Sequence, residues 1–97
     1  MLKQILLFKI KDTPDKSANA AELNIRLDAL PAKISQIKGF EVGVNTGKSP
    51  RAWDVSLYSE FNNFDDLMIY QDHPAHQEVV KFVNEVCDDR HVVDYES

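Results

Sequence analysis

The sequence predicts an α+β domain: a four-stranded antiparallel sheet with helices on one face, in the ferredoxin-like order β-α-β-β-α-β. Three observations lead to this prediction. Apolar and polar residues alternate in "FEVGVN" and "AWDVSLYSEF", a period of two that is typical of strands. Two longer stretches repeat apolar residues every three or four positions, as amphipathic helices do. A further strand-like segment lies at each end of the chain, which completes the order.

The first strand is predicted over residues 2–11, with apolar residues on both of its faces. One face would carry Leu2, Leu6, Phe8 and Ile10 with Gln4, and the other would carry Ile5 and Leu7. Helices can cover only one of these faces. Leaving the other in water costs about 25 cal/mol for each Å², so the sequence predicts a homodimer packed sheet against sheet.

A helix is predicted over residues 17–35, with Ser17 as its N-cap. Its apolar stripe consists of Ala20, Leu23, Leu27, Leu30 and Ile34. Pro31 removes one backbone donor inside this pattern. Since Ile34 continues the stripe, we expect a kink at Pro31 and not the end of the helix.

Two strands are predicted in the middle of the chain, joined by the polar loop "TGKSPR". The first carries Phe40, Val42 and Val44 on one face, and the second carries Trp53, Val55, Leu57 and Phe61. The segment "GVNTGKS" is one residue too short for a phosphate-binding loop, and a strand follows it instead of a helix. It is therefore interpreted as an ordinary loop between strands.

Residues 63–86 are predicted to be helical in two pieces. Asn63 suits the N-cap of the first piece, and Pro74 suits the first turn of the second. Cys87 is expected to end the second helical stripe as a small core residue. The run 88–90 is expected to be a solvated turn before a last short strand, "RHVVDYE".

Length and composition indicate one ordinary globular domain over residues 1–97. Apolar residues make up 43% and charged residues 28% of the chain, and the formal net charge is −5. This negative charge argues against nucleic acid or an anionic membrane as a partner. The single cysteine, Cys87, and the lack of a signal-peptide pattern or a long apolar run indicate a cytoplasmic protein.

The chain resembles the stress-responsive dimeric α/β-barrel (Dabb) family. The matching stretches are "ILLFKIK", "EVGVN", "SEFNNFDDLMIYQDHPAHQEVVKFV" and "RHVVDYE", which follow one another over essentially the whole chain. The resemblance implies a ferredoxin-like subunit and a homodimer whose two sheets form a barrel. Many members are uncharacterised bacterial proteins, and plant members are linked to stress responses.

Some plant members that the chain resembles are polyketide cyclases that need no cofactor. The resemblance implies that His76, the second histidine of "HPAH", would be the catalytic acid or base, with Tyr70 nearby. The histidine that those cyclases carry on the first strand falls here at Gln4. This is a departure from the pattern, since an amide cannot act as a general base.

The resemblance implies a candidate pocket between the sheet and the helices. We expect Gln4, Leu6, Phe8, Trp53 and Leu57 to line it, with His73 at the junction of the two helix pieces. A tight metal site is not predicted, because His73 and His76 lack the i, i+4 spacing of helical zinc motifs and a third ligand; Asp72 and His91 are the residues that could approach them.

Three functions stay open at this stage. The chain could be a structural homodimer with a stress role, a binder of a hydrophobic small molecule, or an enzyme without a cofactor. The enzyme would be a cyclase, lyase or monooxygenase acting on an aromatic or polyketide-like substrate. An enzyme needs His76 or Tyr70 to face a cavity, whereas a purely structural dimer would have that space filled by side chains.

Overall fold

The computed structural model describes residues 1–97 and confirms the ferredoxin-like order. The elements are β1 (Leu2–Ile10), α1 (Lys16–Asp28), β2 (Gly39–Val44), β3 (Val55–Phe61), α2 (Phe64–Asp72), α3 (Pro74–Val86) and β4 (Cys87–Glu96). They build one antiparallel sheet in the order β2-β3-β1-β4. No helix of the chain reaches the length and apolar character that crossing a bilayer demands.

The inner face of the sheet packs against the helices, and its central strand β1 has the predicted orientation. Leu2, Phe8 and Ile10 are buried on this face, and Gln4 is buried among them. Leu7 points to the other side and is 44% exposed. The two-residue period of β1 therefore identified its core-facing side correctly.

Helix α1 differs from the prediction at both ends. It starts at Lys16 after Asp15, so Ser17 lies inside the helix and not at its N-cap. It ends at Asp28, and the predicted kink at Pro31 is wrong, because the proline ring would clash with the carbonyl one turn earlier. The chain continues in tight turns, in which the N–H groups of Lys33 and Ile34 donate to the Leu30 carbonyl at 2.9 and 3.0 Å.

The predicted apolar stripe survives this early end of the helix. All five of its members are buried, including the two beyond Asp28: Ala20, Leu23, Leu27, Leu30 and Ile34. The turns after α1 thus place Leu30 and Ile34 in the core, as the predicted longer helix would have done.

The second helical region is divided as predicted. Asn63 caps α2, since its Oδ1 accepts a hydrogen bond from the Asp66 N–H at 2.9 Å. Pro74 opens α3. His73 ends α2 and caps α3, and its Nδ1 accepts from the Ala75 N–H at 3.0 Å.

The last strand is longer than predicted and begins at once after α3. Residues 88–90 belong to β4, so the predicted turn there is wrong, and Cys87 is the first strand residue. Ile10 pairs with Cys87 and Lys9 with Asp89, which leaves Asp88 as the extra residue of a β-bulge. Cys87 is half-buried, and this burial raises the pKa of its thiol to about 11.

The outer face of the sheet is not covered by any element of this chain. Its apolar and aromatic side chains come from β1, β3, β4 and the loop before β3: Ile5, Leu7, Trp53, Tyr58, Val93 and Tyr95. Val93 is 53% and Tyr95 is 38% exposed. This is the apolar second face that the sequence predicts.

Candidate functional site

A cavity of about 380 Å³ lies between the inner face of the sheet and helices α2 and α3. Nine of its fifteen lining residues are hydrophobic, so its wall suits an apolar molecule. Six of the predicted site residues line it: Gln4, Leu6, Phe8, Leu57, Tyr70 and His76. The space that a purely structural dimer would fill with these side chains is therefore open.

Two predicted pocket residues lie elsewhere. Contrary to the prediction, Trp53 stacks on His91 of the outer face, with 4.9 Å between ring centroids. The reason is that β3 begins only at Val55, and the chain bends at Asp54, whose N–H donates to the Phe8 carbonyl. His73 is not among the lining residues, because its ring caps α3.

Tyr70 lines the cavity and has a buried hydroxyl. The residue is only 1% exposed, and its hydroxyl has no hydrogen-bond partner within the chain. The ring packs between Phe61 and His76, with centroids 5.0 and 4.4 Å away. Burial raises the pKa of Tyr70, so the hydroxyl keeps its proton at pH 7 and remains a hydrogen-bond donor without a partner in the chain.

His76 is held in one tautomer. Its Nδ1 lies 3.0 Å from the Gln71 carbonyl oxygen. Because a carbonyl only accepts, Nδ1 carries the hydrogen and Nε2 is left with a free lone pair. Burial lowers the pKa of His76, and the hydrogen bond to Gln71 opposes this effect only in part. The ring is therefore mainly neutral at pH 7, which is the form that accepts a proton.

Gln4 forms the polar part of the cavity floor. It is 2% exposed, and its Nε2 donates to Asp94 Oδ1 at 2.9 Å. Its backbone carbonyl accepts from the Ser59 hydroxyl at 3.4 Å. The Asp94 contact holds the side-chain amide in place, but Gln4 supplies no titrating group.

One residue of the wall, Arg90, is not among the predicted site residues, because the sequence analysis places it at the border between a solvated turn and the last strand, "RHVVDYE". Arg90 lies in β4 opposite Phe8 and lines the cavity. Its signal in the sequence is the alternation of the last strand, which puts Arg90 on the same face as Val92 and Asp94. Arg90 gives a mainly apolar cavity, whose wall also holds Asp72, one permanent positive charge.

The residues of the site do not form a metal centre. No three side chains among His, Cys, Asp and Glu come close enough together to hold a metal ion. What the arrangement can do chemically is accept a proton at His76 Nε2 and donate hydrogen bonds from Tyr70 and Arg90.

Comparison with known proteins gives both sequence relatives and structural neighbours. A stress-response A/B barrel domain-containing protein of Arabidopsis thaliana is 33% identical over 97 residues, which cover 98% of this chain and 36% of the relative. The chain thus spans about a third of that relative's length. A dimeric ferredoxin-like protein of unknown function from Bacteroides fragilis is 40% identical, with a TM-score of 0.90 over 99% of this chain and 95% of that chain.

More distant structures share the fold alone. The hydroxynitrile lyase of Passiflora edulis is 15% identical, with a TM-score of 0.82 over 97% of this chain and 90% of that chain.

The family of the chain is given by a match to a family model. The model of the stress responsive A/B barrel domain, Dabb, matches residues 2–97. This match takes in the whole sheet and all three helices. The chain belongs to the stress-responsive A/B barrel (Dabb) domain family.

Proposed function

We propose that the protein binds a hydrophobic small molecule in the cavity between its sheet and helices α2 and α3. The observation that carries this proposal is the cavity itself, about 380 Å³ and lined mainly by apolar side chains. A small molecule site of this kind combines an apolar wall with a few fixed polar groups. The unpartnered Tyr70 hydroxyl and the oriented His76 ring supply such groups.

The binding unit in this proposal is a homodimer joined through the outer faces of two sheets, which together form a barrel. The exposed apolar residues of that face support it, because a lone subunit would leave them in water. The dimeric state of the Bacteroides fragilis neighbour also supports it. The cavity lies on the opposite face of each sheet, so each protomer would keep its own site.

The binding proposal is tested by narrowing the cavity. Val92 of β4 lines it and is partly exposed, so Val92→Phe adds bulk without overpacking the core. Val44→Phe is the matched control, because Val44 is a partly exposed strand valine outside this cavity. Aromatic and alkyl compounds are titrated by calorimetry and thermal shift. We expect a compound whose affinity falls about tenfold in Val92→Phe and less than twofold in Val44→Phe.

Two outcomes would contradict the binding proposal. One is that no compound of a size suited to the cavity raises the melting temperature of the wild type. The other is that Val92→Phe and Val44→Phe weaken binding equally, which would place the ligand somewhere else on the surface.

A second candidate function is an enzyme that transfers protons without a cofactor, as a cyclase or lyase does. The observation that favours it is the free lone pair on His76 Nε2, next to the Tyr70 ring in a largely apolar cavity. In the proposed step Nε2 takes a proton from a carbon next to a substrate carbonyl. This leaves an imidazolium and an enolate, whose oxygen accepts a hydrogen bond from Tyr70. The imidazolium then returns the proton to the product.

Hydrogen–deuterium exchange tests this chemistry without knowledge of the natural substrate. Benzoylacetone, an aromatic diketone with acidic C–H bonds, is followed by NMR in deuterated buffer. We expect the wild type to accelerate exchange and His76→Ala to lower that acceleration by about 10². His73→Asn is the control, since asparagine also caps helices and His73 lies outside the cavity. Equal exchange rates in wild type and His76→Ala would overturn the enzyme proposal.

A further inference from the structure

Arg90 is a cation at the cavity wall that no acidic side chain of the chain neutralises. Its guanidinium has no carboxylate within 4.0 Å, whereas Lys16, Arg26 and Lys81 each form an ion pair. It is exposed on its solvent side and lines the cavity on the other. An exposed arginine without a partner is ordinary on a protein surface. At the wall of a mainly apolar cavity, its guanidinium is placed to contact a bound molecule.

The bulge at Asp88 directs this residue to the inner face. Strict alternation from Cys87, which pairs with Ile10, would place Arg90 opposite Leu7 on the outer face. The extra residue shifts the pairing by one, so Arg90 lies opposite Phe8 instead. Bulges commonly re-aim a side chain at a functional site in this way.

None of the acidic side chains near Arg90 forms an ion pair with it. Asp94 accepts a hydrogen bond from Gln4 at 2.9 Å. Asp89 accepts from the backbone N–H of Arg90 at 2.9 Å and lies 3.6 Å from His91 on the outer face. Asp72 lines the same cavity but is not within ion-pair distance of the guanidinium. The donors of Arg90 are therefore available to a ligand.

We propose that Arg90 binds a carboxylate on the ligand, so that the cavity takes an apolar molecule with one carboxylate at the β4 side. This inference rests on the proposed ligand-binding function and adds the chemical class of the ligand. The planar guanidinium matches a carboxylate with two parallel hydrogen bonds. The cavity offers a single full positive charge and also contains the carboxylate of Asp72, so a monoanion fits it better than a dianionic phosphate.

Pairs of ligands that differ only in charge test the inference. The probes are octanoate with octanamide, and para-butylbenzoate with para-butylbenzamide, titrated by calorimetry at low salt. For at least one pair we expect the wild type to bind the carboxylate about tenfold more tightly than the amide, since hydrogen bonds to charged groups are the stronger ones. Arg90→Gln should abolish this preference and leave the affinity for the amide within about twofold. Arg90→Lys should keep part of the preference, because it retains the charge but not the planar fork.

Lys81→Gln is the matched control. It removes the same charge from the exposed side of α3, where Lys81 pairs with Glu78 at 3.2 Å. We expect it to keep the preference for the carboxylate. Equal affinities for both members of every pair in the wild type, or equal effects of Arg90→Gln and Lys81→Gln, would overturn the role of Arg90 and leave the binding cavity standing. If neither member of any pair binds, the proposed binding function falls and the carboxylate site falls with it.

Discussion

The two faces of the sheet are both apolar, but they are left incomplete in different ways. On the inner face the helices bury most side chains to a few per cent exposure and leave one cavity beside β1 and β4. On the outer face nothing within the chain covers Leu7, Val93 or Tyr95. A cavity enclosed between sheet and helices suits a small molecule of limited size. An uncovered apolar face of a sheet suits another protein surface. One sheet can thus serve ligand binding and assembly separately.

The largest expected effect comes from a charge on the outer face. Ile5→Lys should dissociate the homodimer, since it would bury a charge without a partner between two sheets, at a cost of about 3–5 kcal/mol. The measurement is molar mass by light scattering at micromolar concentration. Ile25→Lys is the matched control, because Ile25 is 66% exposed on α1. A wild-type protein that is monomeric at these concentrations would remove the proposed role of the outer face.

A smaller effect is expected from a substitution inside the cavity. Tyr70→Phe removes a buried hydroxyl that has no partner in the chain. It should leave the free energy of unfolding unchanged or raise it by about 1 kcal/mol, while weakening the binding of any ligand that accepts a hydrogen bond there. Urea denaturation and calorimetry measure the two quantities. A clear loss of stability would show that the hydroxyl supports the fold and is not kept for a ligand.

The smallest expected effect concerns pH. Burial lowers the pKa of His76 in the folded protein below its usual value of 6.5. The unfolded chain then binds a proton more readily than the folded one, so His76 lowers the stability as pH falls through 6.5. His76→Gln should remove this contribution. The melting temperature of wild type and variant, measured between pH 8 and pH 5, should therefore diverge towards the acidic end, and parallel curves would contradict the burial of this ring.

The comparison of the two faces also explains which features the sequence could predict. Alternation in β1 identified both faces, and it placed Gln4 on the inner side, because an uninterrupted strand repeats every two residues. The stripe of α1 identified Leu30 and Ile34 as core residues even though the helix stops before them. Such patterns indicate which side chains are buried. They do not fix the backbone conformation, because Leu30 and Ile34 reach the core from turns as well as they would from a helix.

The sequence predictions are wrong where a bend or a bulge interrupts the two-residue alternation of a strand. Trp53 follows the alternation of β3 in the sequence, but the bend at Asp54 turns it to the outer face. Arg90 stands at the border between the predicted turn and the predicted last strand, and only the register with β1 shows that it lies opposite Phe8 on the inner face. Long-range pairing of this kind has no local signature, which is why the charged part of the cavity wall was missed.

Because of the bulge at Asp88, the charge at the cavity wall depends on the register between β4 and β1 as well as on the residues of β4. β4 is an edge strand that pairs only with β1. If it slid by one residue, about 3.3 Å, Asp89 would take the place of Arg90 opposite Phe8 and the same amino acids would present an anion to the ligand. The sign of the charge at this point of the cavity wall therefore depends on a one-residue insertion in β4, with no substitution at position 89 or 90.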